Sequence, residues 1–240
     1  MQTSWCEAVG YHVFEFDHLL ANQKPFRVYD GAWGDSPVID LSDGFPTYEG
    51  WLRGRSQSLV RSIERRIRKF ERELGPLRFV CSSEDAAILR CVLEWKSQQF
   101  RRTGKADLFR LRWGTEVLER ILATREPDFA GVLSVRYAGD DPIAAHFGMR
   151  SGSVLHWWFP SFDPAFGRYS PGTLLLWKLA KESDSGETRR IDLGKGDEPY
   201  KARFANERVS LAEGRVELPS RTTQIRRARR DLTESWGTRV

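Results

Sequence analysis

The 240-residue chain has only three cysteines and four histidines. Cys6, Cys81 and Cys91 are odd in number and lack the paired spacing of a zinc site or a redox motif, so they read as free thiols of a reducing compartment. The histidines show no ligand spacing either, and no metal is expected. No run of about 18 apolar residues exists, which argues against a membrane-spanning helix. The opening residues, MQTSWCEAVGYHVFEFDH, carry neither a basic n-region nor an apolar h-region. No secretory signal is expected, and the chain reads as cytoplasmic. Internal repeats and low-complexity segments are also missing.

What is present can build a core. Hydrophobic residues make up 40% of the chain, nine of them tryptophans, and the length allows one large domain or one and a half small ones. A net charge of +5 favours an anionic partner: a nucleotide-bearing donor, a nucleic acid or an acidic surface.

Residues 9–16, 25–29 and 37–41 read as short strands broken by Gly, Asp and Pro. A helix is predicted over 48–74, where Leu59, Ile63, Ile67, Phe70 and Leu74 recur on one face. Beside them Arg61, Arg65, Arg68 and Arg72 form a basic stripe, and Gly75-Pro76 stops the helix. A strand at 77–81 follows, then an N-cap within 82–85 and a long helix to Thr103, ended by Gly104. Thr115 is the expected cap of a shorter helix ending before Pro127. Strands are predicted at 129–137, 143–149 and 154–159, the last two around a four-residue turn at 150–153. That turn puts His146 opposite Trp157 and His156 opposite Phe147, so the two histidines face opposite ways. Gly214 is the expected tip of a closing hairpin between 209–211 and 216–218, and a basic surface helix is expected from Arg221. Strands and helices together give a mixed α/β (α+β) chain.

The densest chemistry lies in 166–204. Pro171-Gly172 open an apolar helix over 173–182, whose N-terminus suits a phosphate but is equally a plain turn. Asp192 then interrupts the apolar strand 191–193, an ionised group that must be exposed or partnered, before Gly194-Lys195-Gly196 and Tyr200-Lys201. Asp192 and Lys201 can flank one substrate or form a structural pair. Tyr200 can protonate a leaving thiolate or be a hydrogen-bonded core residue. Trp157, Trp158, Phe159, Phe162 and Phe166 wall a pocket or fill the core.

The motifs Tyr169-Ser170-Pro171-Gly172, Asp192-Leu193-Gly194-Lys195-Gly196 and Tyr200-Lys201 followed by Phe204, with Ala144-Ala145-His146-Phe147-Gly148 and 157–164 upstream, carry a likeness. Over roughly 76–218 the chain resembles the C-terminal catalytic domain of GNAT-fold acyltransferases of the cellulose-biosynthesis (CelD/BcsL-type), FemAB-like branch. The resemblance implies a GNAT-like, mainly antiparallel sheet flanked by helices. It divides the chain into 1–45, the remnant of a first GNAT-like half; 46–75, a basic connecting helix; 76–218, the acyltransferase domain; and 219–240, a basic tail. It implies acetyl-CoA or another acyl-CoA as donor, with its pyrophosphate at Arg168, Tyr169, Ser170, Gly172 and Thr173, although Leu174 stands where the usual pattern has a second small residue. Catalytic candidates are Asp192, Lys201, His146 and Tyr200; acceptor-side candidates are Arg65, Arg68, Trp157 and Asp163. The implied reaction is acyl transfer to an amine or hydroxyl of a sugar or related metabolite, in polysaccharide biosynthesis, with a homodimer able to supply a missing half. Two alternatives stand beside it: aminoacyl transfer from aminoacyl-tRNA, and a non-catalytic module holding an anionic partner by its Arg-rich helix and basic tail.

Overall fold

The computed structural model describes residues 13–24, 26, 30–183 and 188–217. The chain forms two compact units, residues 1–36 with 209–240, and residues 37–208.

In the first unit, β1 (Val13–Leu20) pairs antiparallel with β9 (Glu207–Glu217). Phe16, Ala212 and Val216 form a small core covered by Phe14, Leu19 and Phe26. The expected hairpin at Gly214 does not form. Gly214 is an ordinary extended residue of one continuous strand, opposite Phe16, because β1 pairs with β9 on both sides of it, from Leu211 to Glu217. Most of 25–29, and the tail from Arg221, lie outside the described residues.

The second unit carries the larger sheet, in the order β2-β8-β7-β6-β5-β3, with β4 (Arg125–Glu126) beside β5. The strands are the end of β2 (Asp30–Asp40), β3 (Leu77–Val80), β5 (Phe129–Ala138), β6 (Asp141–Ser151), β7 (Val154–Phe162) and β8 (Arg190–Asp192). All the pairings are antiparallel except β7 with β8. This is a mixed α/β fold with a mainly antiparallel sheet flanked by helices.

Helices cover both faces. On one side α1 (Phe45–Leu74) and α4 (Pro171–Glu182) bury Leu52, Val60, Ile63, Leu174, Leu175 and Leu179 against Leu155, Trp157 and Ile191 of the strands. On the other, α2 (Ala86–Thr103) and α3 (Arg112–Ala123) bury Leu89, Val92, Leu118 and Leu122 against Leu133, Val135 and Phe147. The α1 stripe is buried at Ile63 and Phe70, whereas Leu74 reaches solvent. α1 breaks at Ser56 (φ −153°, ψ 74°), and Arg53 spans the break by donating to Glu49 and Glu64, both at 2.6 Å. Asp85 caps α2 by accepting from Ala87 N at 2.7 Å, and Gly104 closes it in the left-handed conformation.

Two local expectations are corrected. Thr115 lies inside α3, not at its cap: a 3-10 turn at Leu108–Arg110, capped by Asp107, leads straight into the helix, and the Thr115 hydroxyl donates back to Phe109 O at 3.3 Å. The β6–β7 turn has two residues, Gly152 and Ser153, since Ser151 already pairs with Val154. The register also slips at Gly148: Met149 pairs with His156, Phe147 with Phe159, and His146 with Pro160. One residue on β6 thus faces two, Trp157 and Trp158, on β7, the signature of a β-bulge. A Cβ on Gly148 would lie 2.0 Å from His156 O and 2.7 Å from His146 Nε2, so only glycine fits there.

Candidate active site

β7 and β8 run together for three pairs, Val154–Arg190, Leu155–Ile191 and His156–Asp192. β8 then ends, while β7 continues to Phe162. Beyond the last pair lies a cleft of about 380 Å³, all of whose lining belongs to the second unit. β7 contributes Trp157, Trp158, Ser161 and Phe162; the start of α4 contributes Ser170, Gly172 and Thr173; α2 contributes Lys96 and Gln99. Leu193, Glu198, Tyr200 and Lys201 close the remaining side.

The α4 wall is an uncapped helix start. Ser170 takes the N-cap position in left-handed backbone (φ 55°) and makes no side-chain cap bond, while Pro171 brings no N–H. Ser170 N donates to Gly167 O and Thr173 N to Ser170 O, both at 3.0 Å, so Gly172 carries the N–H this terminus can offer to an anion. Leu174, placed where the family pattern has a small residue, is fully buried in the core and does not obstruct the cleft. Arg168 and Tyr169 turn away from it. The Tyr169 hydroxyl donates to Glu73 at 2.7 Å and receives a bond from Arg168, and its ring packs edge-on against Phe70.

The opposite wall is a glycine loop held by a lysine. Lys201, 6% exposed, sits on the short helix α5 (Pro199–Phe204), which the sequence reading did not foresee. Its ammonium donates to Gly194 O (3.1 Å) and Lys195 O (3.0 Å) and pairs with Glu198 (2.9 Å). All three of its N–H bonds are thereby spent. Gly196 is tied to this clamp: a Cβ there would meet Glu198 Oε2 at 2.4 Å. Burial pushes the Glu198 carboxyl up, but Lys201 and nearby N–H groups outweigh it and hold the group below the usual range.

Asp192 is turned elsewhere. Its carboxylate accepts from Gly194 N at 2.9 Å and lies 3.4 Å from His156 Nδ1. Asp192 and Lys201 therefore hold the same loop from its two ends. His146 is completely buried behind Trp157, the two rings stacked at 4.2 Å, and burial lowers its pKa to about 3. Asp163 caps the turn before α4 by accepting from Ala165 N, and Arg65 and Arg68 stand exposed on α1; none of the three lines the cleft.

Two further cleft groups have altered acidity. Burial raises the Tyr200 hydroxyl to about 12, with the Trp157 indole N–H opposing the shift. Lys96, 8% exposed, is lowered by burial to about 8, and its ammonium donates to Gln99 Oε1 at 3.1 Å. Lys96 is not among the residues the motifs pick out. The signal was there: it sits on the inward stripe of α2 with Leu89, Val92 and Leu93, where a lysine is out of place. Among the described residues, no cluster of three or more His, Cys, Asp or Glu could hold a metal ion.

A family model described as an acetyltransferase (GNAT) domain matches residues 57–202. No curated protein matches the chain. Among solved structures, a conserved protein of unknown function from Bacteroides thetaiotaomicron VPI-5482 superposes with a TM-score of 0.57 at 11% identity, covering 89% of this chain and 73% of its own. FemX superposes with a TM-score of 0.56 at 10% identity, covering 93% and 70%. At such identity the likeness speaks to the fold alone.

Proposed function

We propose, from the premise that this chain belongs to the acetyltransferase (GNAT) domain family, that it transfers an acyl group from acyl-CoA to an amine or hydroxyl of a sugar-like acceptor. The observation that carries the reading is the opening of the sheet after the His156–Asp192 pair, with an uncapped helix start on one wall and Lys96, Glu198 and Tyr200 on the other. The donor's phosphates fit the Ser170–Thr173 terminus, and its thioester then reaches the gap between the strands. Trp158 and Phe162, both lining the cleft and about 40% exposed, offer flat apolar faces to the C–H face of a sugar ring, which favours that acceptor class.

Transfer forms a bond from the acceptor N or O to the acyl carbon and breaks the C–S bond. The acceptor loses a proton and the departing thiolate gains one. Lys96, near-neutral in acidity, suits the first role, and the Tyr200 hydroxyl suits the second. Lys201 and Asp192 act as positioning residues that fix the Gly194–Gly196 loop carrying Glu198 and Tyr200 into the cleft.

Calorimetry of acetyl-CoA binding tests the reading. The natural chain should bind, and Gly172→Val should weaken binding at least tenfold without unfolding. A Cβ at Gly172 meets only Phe162, at 3.7 Å, so the fold tolerates the change. No acetyl-CoA binding by the natural chain overturns the donor assignment and leaves aminoacyl transfer or a non-catalytic module; an affinity within threefold in the variant overturns the phosphate position at Gly172.

A further inference from the structure

We propose that the surface formed by the Leu108–Arg110 turn and the start of α3 docks this protein on a bilayer carrying anionic headgroups. The transferase reading plays no part in this inference. Leu108 (52% exposed), Leu111 (44%), Trp113 (58%) and Val117 (45%) form a run of large apolar side chains open to water. Trp113 and Val117 are one helical turn apart on α3, whereas Leu118 and Leu122 serve its buried side. Apolar residues of this size, gathered in one segment of a soluble surface, mark an interaction site.

The patch is rigidly presented. Asp107 caps the turn by accepting from Phe109 N at 3.2 Å and also accepts from the Ser97 hydroxyl. Phe109 turns inward, stacks on Phe100 (5.5 Å between ring centres) and meets Phe159 edge-on (5.1 Å). Phe159 in turn contacts Trp158 of the cleft wall, so the patch and the cleft share one aromatic packing chain.

Charge identifies the partner. Arg101, Arg102, Lys105, Arg110 and Arg112 are all exposed in the same segment. The only acids between 101 and 117 are Asp107, engaged in the cap, and Glu116, paired with Arg112 at 2.7 Å. Leucine and tryptophan interleaved with arginine match the boundary of an anionic bilayer, where apolar side chains enter below the headgroups and guanidinium groups meet phosphates. A second copy of the chain fits poorly, because a two-fold contact would set the basic clusters against each other. Nucleic acid fits less well, since Leu108, Leu111 and Val117 cannot stack on bases.

Sedimentation of the full chain with vesicles tests this. One set is phosphatidylcholine alone; the other contains about one-third phosphatidylglycerol. The natural chain should bind the anionic set at least tenfold better and lose that advantage between ~0.1 and ~0.5 M salt. Leu111→Ser with Trp113→Ser, and separately Arg110→Glu with Arg112→Glu, should each lower binding at least tenfold at an unchanged melting temperature. The basic residues after Arg221 are the same in every variant, so such a loss assigns binding to this surface. The proposal fails if neither vesicle set is bound, if both variants bind as the natural chain does, or if the apolar variant instead abolishes a dimer or single-stranded DNA binding.

Discussion

Lys96 holds its charge at a cost. Its folded pKa, about 8, lies below the ordinary lysine value of 10.5, so the folded state binds fewer protons than the unfolded chain between those values. The penalty is fully present below pH 8 and fades as pH climbs toward 10.5. Lys96→Met should therefore stabilise the protein by about 2 kcal/mol at pH 7, a gain that shrinks at alkaline pH when measured by urea unfolding. If Lys96 is the base, the kcat/KM of the natural chain should rise through about pH 8, and the substitution should lower activity and remove that rise from what remains. Lys201 matters through its bonds, to Gly194 O, Lys195 O and Glu198. Lys201→Ala should cost about 2 kcal/mol, read as a fall of roughly 4–8 °C in Tm, together with lower kcat. An unchanged Tm with a hundredfold lower kcat would instead place the ammonium on the reacting atoms. Tyr200, Trp157 and Gly172, which line the cleft, stand out in the sequence from the motifs around them. Lys96 does not, because a lysine in a helix that also carries Arg90, Glu94, Arg101 and Arg102 looks solvated until the apolar stripe beneath it is counted.

Elements with strong local signals were read correctly: α2 between Asp85 and Gly104, and β5 with its alternating pattern. What escaped the sequence depends on partners. Gly214 looks like a turn residue until β1 lies beside it, and Thr115 looks like a cap until Asp107 starts the turn earlier. The β6–β7 register was misread because a two-residue and a four-residue turn share the same Gly152 signal, and because a bulge leaves no mark on composition. Gly148→Ala tests that bulge. The added methyl collides with backbone and with the stacked His146, so a loss of about 3 kcal/mol or more is expected by chemical denaturation. A change below about 1 kcal/mol would show that β7 can relax into a regular register.

At the scale of the whole molecule, the division at residues 36/37 and 208/209 leaves every cleft-lining group in one unit. A chain of residues 37–208 should accordingly keep its acetyl-CoA affinity within threefold, measured by calorimetry; loss of binding despite a native circular dichroism spectrum would refute this. Acid stability is a second whole-molecule property. Burial lowers His146 to about 3 from the ordinary 6.5, so stability should decline as pH falls from about 6.5 toward 3, and His146→Phe should flatten that slope. Among the described residues, no helix is long and apolar enough to cross a membrane.

The slip at Gly148 also governs how β7 tolerates change. Its odd-numbered residues stay inside along its whole length, so the alternation in the sequence is unbroken, yet the side they serve is exchanged midway. Leu155 and Trp157 pack with α1 and α4, whereas Phe159 packs with α2 and α3, and the Ser161 hydroxyl donates to Val92 O of α2. A single strand thus reads out in two phases. Removing one residue at Trp157 or Trp158 should be easier to absorb than removing one anywhere else in the strand, because it deletes the phase shift and leaves the pairing on both sides as it stands.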